Sequence, residues 1–503
     1  MAIGLQIWVA LLSGEKAALQ VSSCDTVRSV RAKAQKVLQR PLLGLARSDS
    51  PAEVPLPKDA TLEELQIPED SVLYALVGRL RVSSTRFAFA ACQGDGSAVA
   101  WGSPFAGGDT SEVAEHLAED VQDVCANLMA FAAVKIDGDV VTWGHQSCGG
   151  LISDQLKARL KENGGVKKIM SSNRAFAALK RDGSVICWGC HYHGGRMPDL
   201  SCKEISNIFS TKGAFAAVDI HGAVVTWGHP ASGGDSSAVA AQLQEGIAQV
   251  YATDSAFAAL RRDRSVVTWG APHAGGTTEE ELYGVVKVFS TDSAFAVLRT
   301  GGDVLCWGDA LHGGCCDMKA QLQGVIDMCS SSSAFAALRE DGSVLSWGNE
   351  LAGGDCSDVQ DQLEDSVVQL FATSAAFAAI KKDGTVVTWG DPNEGGCSKA
   401  VKDQLHEVQD IYTSHAAFAA VRKDGSVITW GSPVYGGNSS RVQDELSSGV
   451  VRIYAAECAF AAVKCDGSLV TWGYPRYGGS CEAVRHQLVA EVLRASSSCS
   501  TPR

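Results

Sequence analysis

Long apolar stretches are missing from this 503-residue chain, and no run approaches the roughly 20 residues that cross a bilayer as a helix. A basic excess is missing too: 43 Lys and Arg stand against 57 Asp and Glu, a net charge of −14. Residues 1–82 carry ten basic and nine acidic side chains, so the 33 basic and 48 acidic residues beyond them leave 83–503 at −15. An acidic surface of that size repels phosphate backbones and anionic lipid, which argues against nucleic acid or membrane as a partner. The opening Met1-Ala2-Ile3-Gly4 has neither the basic segment nor the apolar core of a secretory signal. The 17 cysteines are odd in number and scattered, as in a protein kept reduced, so a cytoplasmic or nuclear location is expected.

Chemistry-bearing motifs are scarce as well. The Gly-Gly pairs lack the Lys-Ser/Thr that completes a phosphate-binding loop. Cys187-Trp188-Gly189-Cys190 has CxxC spacing, but no second CxxC exists. Cys187 also takes the place held elsewhere by Thr226, Thr268, Ser346 and Thr388. Asp137, Asp182 and Asp341 read as hairpin corners without the ligand ladder of a calcium loop. No Ser/His/Asp order or carboxylate pair stands out from the background. The expectation is therefore a protein with no catalytic residues, no cofactor and no metal.

What the chain does contain is a repeat. Ten times a Phe is followed twelve residues later by Trp-Gly, and Gly-Gly begins six residues after that Trp. The Trp residues run from Trp101 to Trp472 and the Phe residues from Phe89 to Phe460. Neither spacing slips, although the Trp-to-Trp distance varies between 38 and 45. Self-similarity at such a period marks a stacked or circular array. Within one unit, Val408–Thr413, 416–421 and 427–430 read as three strands, the last two joined at Lys423-Asp424-Gly425-Ser426. Asp-Gly between β-rich runs is a strong hairpin signal because both turn positions need φ > 0. A short helix is expected after most Gly-Gly pairs, with apolar residues four apart, as in Val401 and Leu405.

Both faces of each hairpin are apolar, so every small sheet must lie between two others. Radial stacking satisfies this, and 83–499 is expected to be a β-propeller-like array, with 500–503 a tail. The unit resembles the repeats of the regulator of chromosome condensation family, and in length the three-stranded blades of β-lactamase inhibitor protein II. Ten units depart from those relatives, which close with seven. Ten allow a wide ring, an open spiral or a ring with extra units, and Val492–Ala495 could be a strand that closes the ring on repeat one.

The first 82 residues form a separate ββαβ pattern, a mainly β unit with one helix placing Val27, Val30, Ala34 and Val37 on one face. Leu5-Gln6-Ile7-Trp8-Val9, Asp25-Thr26-Val27, Val30 to Gln35, Thr61-Leu62 and Arg79-Leu80-Arg81 resemble ubiquitin and the ubiquitin-like domains. That resemblance implies a β-grasp fold. Val82-Ser83 stands where ubiquitin has its terminal Gly-Gly, which implies a fixed module and not a transferable tag. It also implies an apolar contact patch, for which Leu12 and Leu76 match two members and Leu43 or Leu45 is the best third.

Variation among the repeats concentrates in the four residues after each Trp-Gly. A fixed framework with variable loops on one face is how repeat proteins build binding surfaces. His145, Tyr192, His193, His273, His312, Tyr435 and Tyr477 are the candidate contacts there. The expected role is a non-enzymatic adaptor that joins ubiquitin-pathway components, through the first domain, to a client protein held by the array. The shared repeat also suggests an exchange factor or a protein inhibitor. Large ligases with such repeats end in a HECT-type domain, for which the 31 residues after Trp472 are too few.

Overall fold

The computed structural model describes residues 4–11, 16–38, 42–47, 56–76, 81–196, 204–279, 281–315, 321–466 and 468–482. It is mainly β, with one mixed four-stranded sheet followed by ten three-stranded sheets.

The mixed sheet contains β1 (Gly4–Ala10), β2 (Lys16–Ser22), β3 (Gly44–Arg47) and β4 (Val72–Leu76) in the order β2-β1-β4-β3, with β1 and β4 parallel. One helix, α1 (Val27–Leu38), lies across it. Asp25 organises the helix start, accepting from the Ser22 amide at 2.8 Å and from Ser29 Oγ at 3.2 Å. Strand alternation sends Ile7, Val9, Leu19, Val21, Leu73 and Ala75 inward against Val27, Val30, Ala34 and Leu38. Val37, expected on that face, is 57% exposed, and Leu38, four residues after Ala34, takes its place.

In each blade the first strand (a), the middle strand (b) and the third (c) are antiparallel neighbours; in blade 9 these are Val408–Thr413, Ala417–Arg422 and Val427–Gly431. The Phe of strand b pairs directly with the Trp of strand c, as Phe418 does with Trp430, and their rings stack with centroids 5.0–5.3 Å apart in all ten blades. That cross-strand pairing is why the twelve-residue spacing never changes. Alanines flank each Phe because both sheet faces are covered; Ala417, Ala419 and Ala420 are all fully buried.

The constant Trp-to-Gly-Gly spacing has a second cause. After strand c, all ten blades form a three-residue 3₁₀ turn that ends in a glycine with φ between 86° and 101°. This glycine touches the Phe ring of the next blade; a Cβ on Gly313 would lie 2.7 Å from Phe335 Cδ2. Its carbonyl accepts the indole N–H of that next blade at 2.9–3.1 Å, from Trp143 to Gly107 through Trp472 to Gly436.

The same bond closes the ring: Trp101 of blade 1 donates to Gly478 of blade 10 at 3.1 Å. Phe89, Trp101, Ala459, Val463 and Cys481 share one core across that junction. Blade 1 has its own strand a, Arg81–Ser84, which starts two residues before the expected array boundary. Val492–Ala495, read as a possible closing strand, lie outside the described residues. The expected short helices are described in six blades: two are α-helical (Ala114–Leu117 and Asp154–Lys161) and four are 3₁₀ (Ser237–Leu243, Ser357–Gln362, Lys399–Gln404 and Ser440–Val442). Segments this short meet the cost of α-nucleation poorly, and four of the six take the tighter i→i+3 bonding, although the four-residue Ala114–Leu117 is α-helical.

The a–b turns and the 3₁₀ turns share one face of the ring, the loop face; the b–c hairpin turns occupy the other. The small domain sits on the hairpin face. Arg28 Nη1 is 2.5 Å from Glu119 Oε2, and Arg31 Nη1 is 3.2 Å from Asp120 Oδ1. Lys58 Nζ reaches Glu119 at 3.0 Å and also pairs with Asp120. Leu43 packs against the Gly96 turn of blade 1, and a 430 Å³ cleft beside it reaches Ile136 and Arg181 of the next two blades.

Candidate protein-binding face

Strand a of each blade lies nearest the ring axis, since these strands touch one another in succession: Ser210 Oγ donates to the Ser171 carbonyl and Ser330 Oγ to the Ser290 carbonyl, both at 2.7 Å. Where strand a turns into strand b, the residue three before each Phe meets its counterparts around the axis. Its amide donates to the carbonyl of the equivalent residue in the next blade. The sequence runs Arg86, Leu128, Asn173, Lys212, Asp254, Asp292, Ser332, Ser374, His415, Glu457, with nine successive bonds of 2.9–3.2 Å. At the tenth junction Arg86 Nε meets Glu457 at 2.9 Å. This closed necklace surrounds a cavity of about 760 Å³ lined by residues from all ten blades.

One residue earlier in each turn, a hydroxyl or amide side chain ties the a–b turn to the 3₁₀ turn. Thr85 donates to the Ala106 carbonyl at 3.1 Å, Asn127 to Cys148 at 2.7 Å, Thr373 to Glu394 at 3.1 Å and Ser414 to Tyr435 at 2.7 Å. Nine blades keep this bond; blade 10 has Ala456 instead. The two loops of a blade therefore present one continuous, ordered surface.

The candidate contacts separate by position on that surface. His193, His312, Tyr435 and Tyr477 occupy the last place of the 3₁₀ turn and form an inner rim beside the necklace. Tyr435 lies 5.5 Å from the His415 ring, and Tyr477 lies 4.3 Å from Phe87. Tyr192 and His273 sit one place earlier, at the outward tip, where Tyr192 is 77% exposed. His145 precedes its turn and caps it, accepting from the Ser147 amide at 3.3 Å. The tip position also carries Phe105, Leu311, Leu351 and Val434, exposed by 51–80%. Sequence reading overlooked these four because it favoured polar and aromatic loop residues, although their fixed place four after Trp was visible.

The face is electrically divided. In the a–b and 3₁₀ turns of blades 5–8 lie Asp254, Asp292, Asp309, Glu350, Asp391 and Glu394, with no Lys or Arg. In the same turns of blades 10, 1, 3 and 4 lie Arg476, Arg86, Arg174 and Lys212, with Glu457 the single acid.

On the small domain, Leu76 is half-buried on the outer sheet face, while Leu12 lies outside the described residues. Leu45 is fully buried in the domain core and cannot meet a partner. Strand alternation accounts for this: Leu45 pairs with the core residue Ala75, while its neighbour Ala46, opposite Tyr74, is itself buried. Leu43, the other candidate, is turned toward the ring.

Cys187 is partly buried in strand c, and loss of solvent around its sulfur pushes its thiol far above the usual range. Cys190 instead faces His193 Nδ1 at 3.2 Å within its turn. Among the described residues no three His, Cys, Asp or Glu side chains gather as a metal-binding group.

No family model and no curated protein matches the chain. Solved structures do. Prp20p from Saccharomyces cerevisiae, described with its binding to Gsp1p and histones, is 15% identical over 54% of this chain and 83% of its own, with a TM-score of 0.32. Yeast RCC1 (Prp20) in a structure with Kap60 is 14% identical over 60% of this chain and 88% of its own, TM-score 0.33. The CRINKLY WD40 ectodomain of the Arabidopsis thaliana receptor kinase ACR4 is 16% identical over 54% of this chain and 97% of its own, TM-score 0.29. At these values the ten-bladed architecture stands on the chain's own sheets, and the likeness reaches to RCC1-type repeat propellers as structural neighbours.

Proposed function

We propose that this protein is a non-enzymatic adaptor of the cytoplasm or nucleus whose loop face holds a client protein. The observation that carries the reading is the loop face itself: a rigid, hydrogen-bonded annulus with exposed apolar tips and a charge division across it. Such a surface combines apolar contact area with electrostatic selection of partner and orientation. The small domain, through its resemblance to ubiquitin, is the part that would engage ubiquitin-pathway components. Its attachment to the hairpin face leaves the loop face uncovered, so both partners can bind at once.

An exchange-factor role has less support, because all ten 3₁₀ turns have the same three-residue length and none extends as a wedge. The test is a quantitative pull-down with three full-length baits. Phe105→Ser/Leu311→Ser/Leu351→Ser should lose the client and keep ubiquitin-pathway components; Leu76→Asp should do the reverse relative to the unaltered chain. Identical partner sets from all three would refute the adaptor.

A further inference from the structure

The necklace positions hold five formally charged residues, and four of them are paired. Arg86 meets Glu457, and Lys212 meets Asp254. Asp292, in the next blade after Asp254, forms no ion pair with any described residue. It is half-buried on the cavity wall, beside the hydroxyl-bearing Ser332. The cavity of about 760 Å³ thus has one uncompensated carboxylate, on the acidic half of the loop face.

We propose that the central cavity is a receptor for one cationic side chain of the client, a guanidinium or an ammonium group, with Asp292 as its carboxylate partner. The inference rests on the loop face being the client surface. A half-desolvated carboxylate without a counterion is unfavourable, and a charge-assisted hydrogen bond from an entering cation relieves it. Burial first, and the adjacent Asp254 carboxylate second, hold the Asp292 carboxyl above its ordinary range, while Lys212, His312 and His415 act in the opposite sense. The necklace amides cannot serve an anion instead, since nine are committed to neighbouring carbonyls. The volume admits a long side chain with water, but not a folded segment, so the client offers a projecting residue from an otherwise flat surface.

The test uses the full chain and two small probes: Nα-acetyl-arginine methylamide and its neutral isostere, Nα-acetyl-citrulline methylamide. Saturation-transfer NMR and titration should show arginine binding roughly tenfold more tightly than citrulline, the scale of one charge-assisted bond. Asp292→Asn should reduce arginine to the citrulline level. Lys212→Met, which releases the Asp254 carboxylate, should tighten arginine binding, a gain that misfolding cannot produce. Equal binding of the probes, binding of neither, an unaffected Asp292→Asn or a weakened Lys212→Met overturns the proposal. The probes need not touch the outer tips, so their failure removes the cation site alone. Loss of no partner by the tip variants, with arginine still bound, removes the client reading and leaves a site for small cations only.

Discussion

At the scale of single residues, the indole N–H and the positive-φ glycine form the joint between blades. Trp347→Phe keeps an aromatic ring against Phe335 but leaves the Gly313 carbonyl without its donor. The expected loss is about 1–3 kcal/mol, read as a lower denaturant midpoint with an unchanged slope. Gly313→Ala should be at least as damaging, because φ is +86° and the added Cβ would meet Phe335 at 2.7 Å and 3.0 Å. This joint was legible in the sequence, since rigid spacing is what direct contact leaves behind. The necklace was not read. Its residues vary freely from Arg86 to Glu457, and only the closed ring brings positions about 40 residues apart to one axis. The Leu45 assignment failed for a different reason: strand alternation turns Leu45 into the core beside Leu73 and Ala75, a placement that no local motif in this stretch marks.

At the scale of elements, the loops behave as tied units, and two consequences can be measured. Thr373→Val removes the hydroxyl that holds the Glu394 carbonyl. Hydrogen exchange should quicken at Glu394 and Gly396, whose amides bond within that turn, for a stability loss of about 1 kcal/mol. The attachment of the small domain depends on charge. The Arg28 guanidinium, with help from Lys58, holds the Glu119 carboxyl down to about 2, against an ordinary value of 4.5. A depressed carboxyl stabilises docking above its free pKa and loses that contribution as pH falls through the bound one. Docking should therefore be insensitive to pH near neutrality and weaken between about 4.5 and about 2, followed by energy transfer between dyes on the domain and ring. Arg31→Glu, placing a carboxylate against the buried Asp120, should release the domain at neutral pH. Strand order and hairpin positions were readable from alternation and Asp-Gly turns, but only the Gly takes positive φ (+77° at Gly425), while the Asp accepts the amide two residues on, as Asp424 does from Ser426. The 3₁₀ form of the returns was not, because apolar residues four apart say which side is buried and not how tightly the backbone winds.

At the scale of the whole molecule, closure is non-covalent and departs from the other junctions at the necklace, where the Arg86–Glu457 ion pair stands in for the amide-to-carbonyl bond. The junction of blades 10 and 1 repeats the indole-to-glycine bond, the Phe contact and the shared core found at the other nine junctions. A chain cut between Lys399 and Gln404 should therefore remain one particle by native mass spectrometry, with blades 8 and 9 held as blades 10 and 1 already are. Phe89→Ala should instead open the ring, exposing one blade face on each side and increasing the radius seen by solution scattering. The sequence allowed a ring, a spiral or a ring with extra units; the choice depends on small blade-to-blade rotations that no local pattern records.

The necklace also has a consequence for recognition. Ten near-identical blades make the scaffold almost blind to rotation: turned by one blade, a partner meets the same backbone. The division of charge does not share that tenfold repeat, because it completes a single cycle around the circumference, acidic over blades 5–8 and basic around blade 1. It therefore works like the mark on a dial. A client whose own charges are divided in the same way is held at one azimuth out of ten, and specificity becomes a matter of angle as much as of contact.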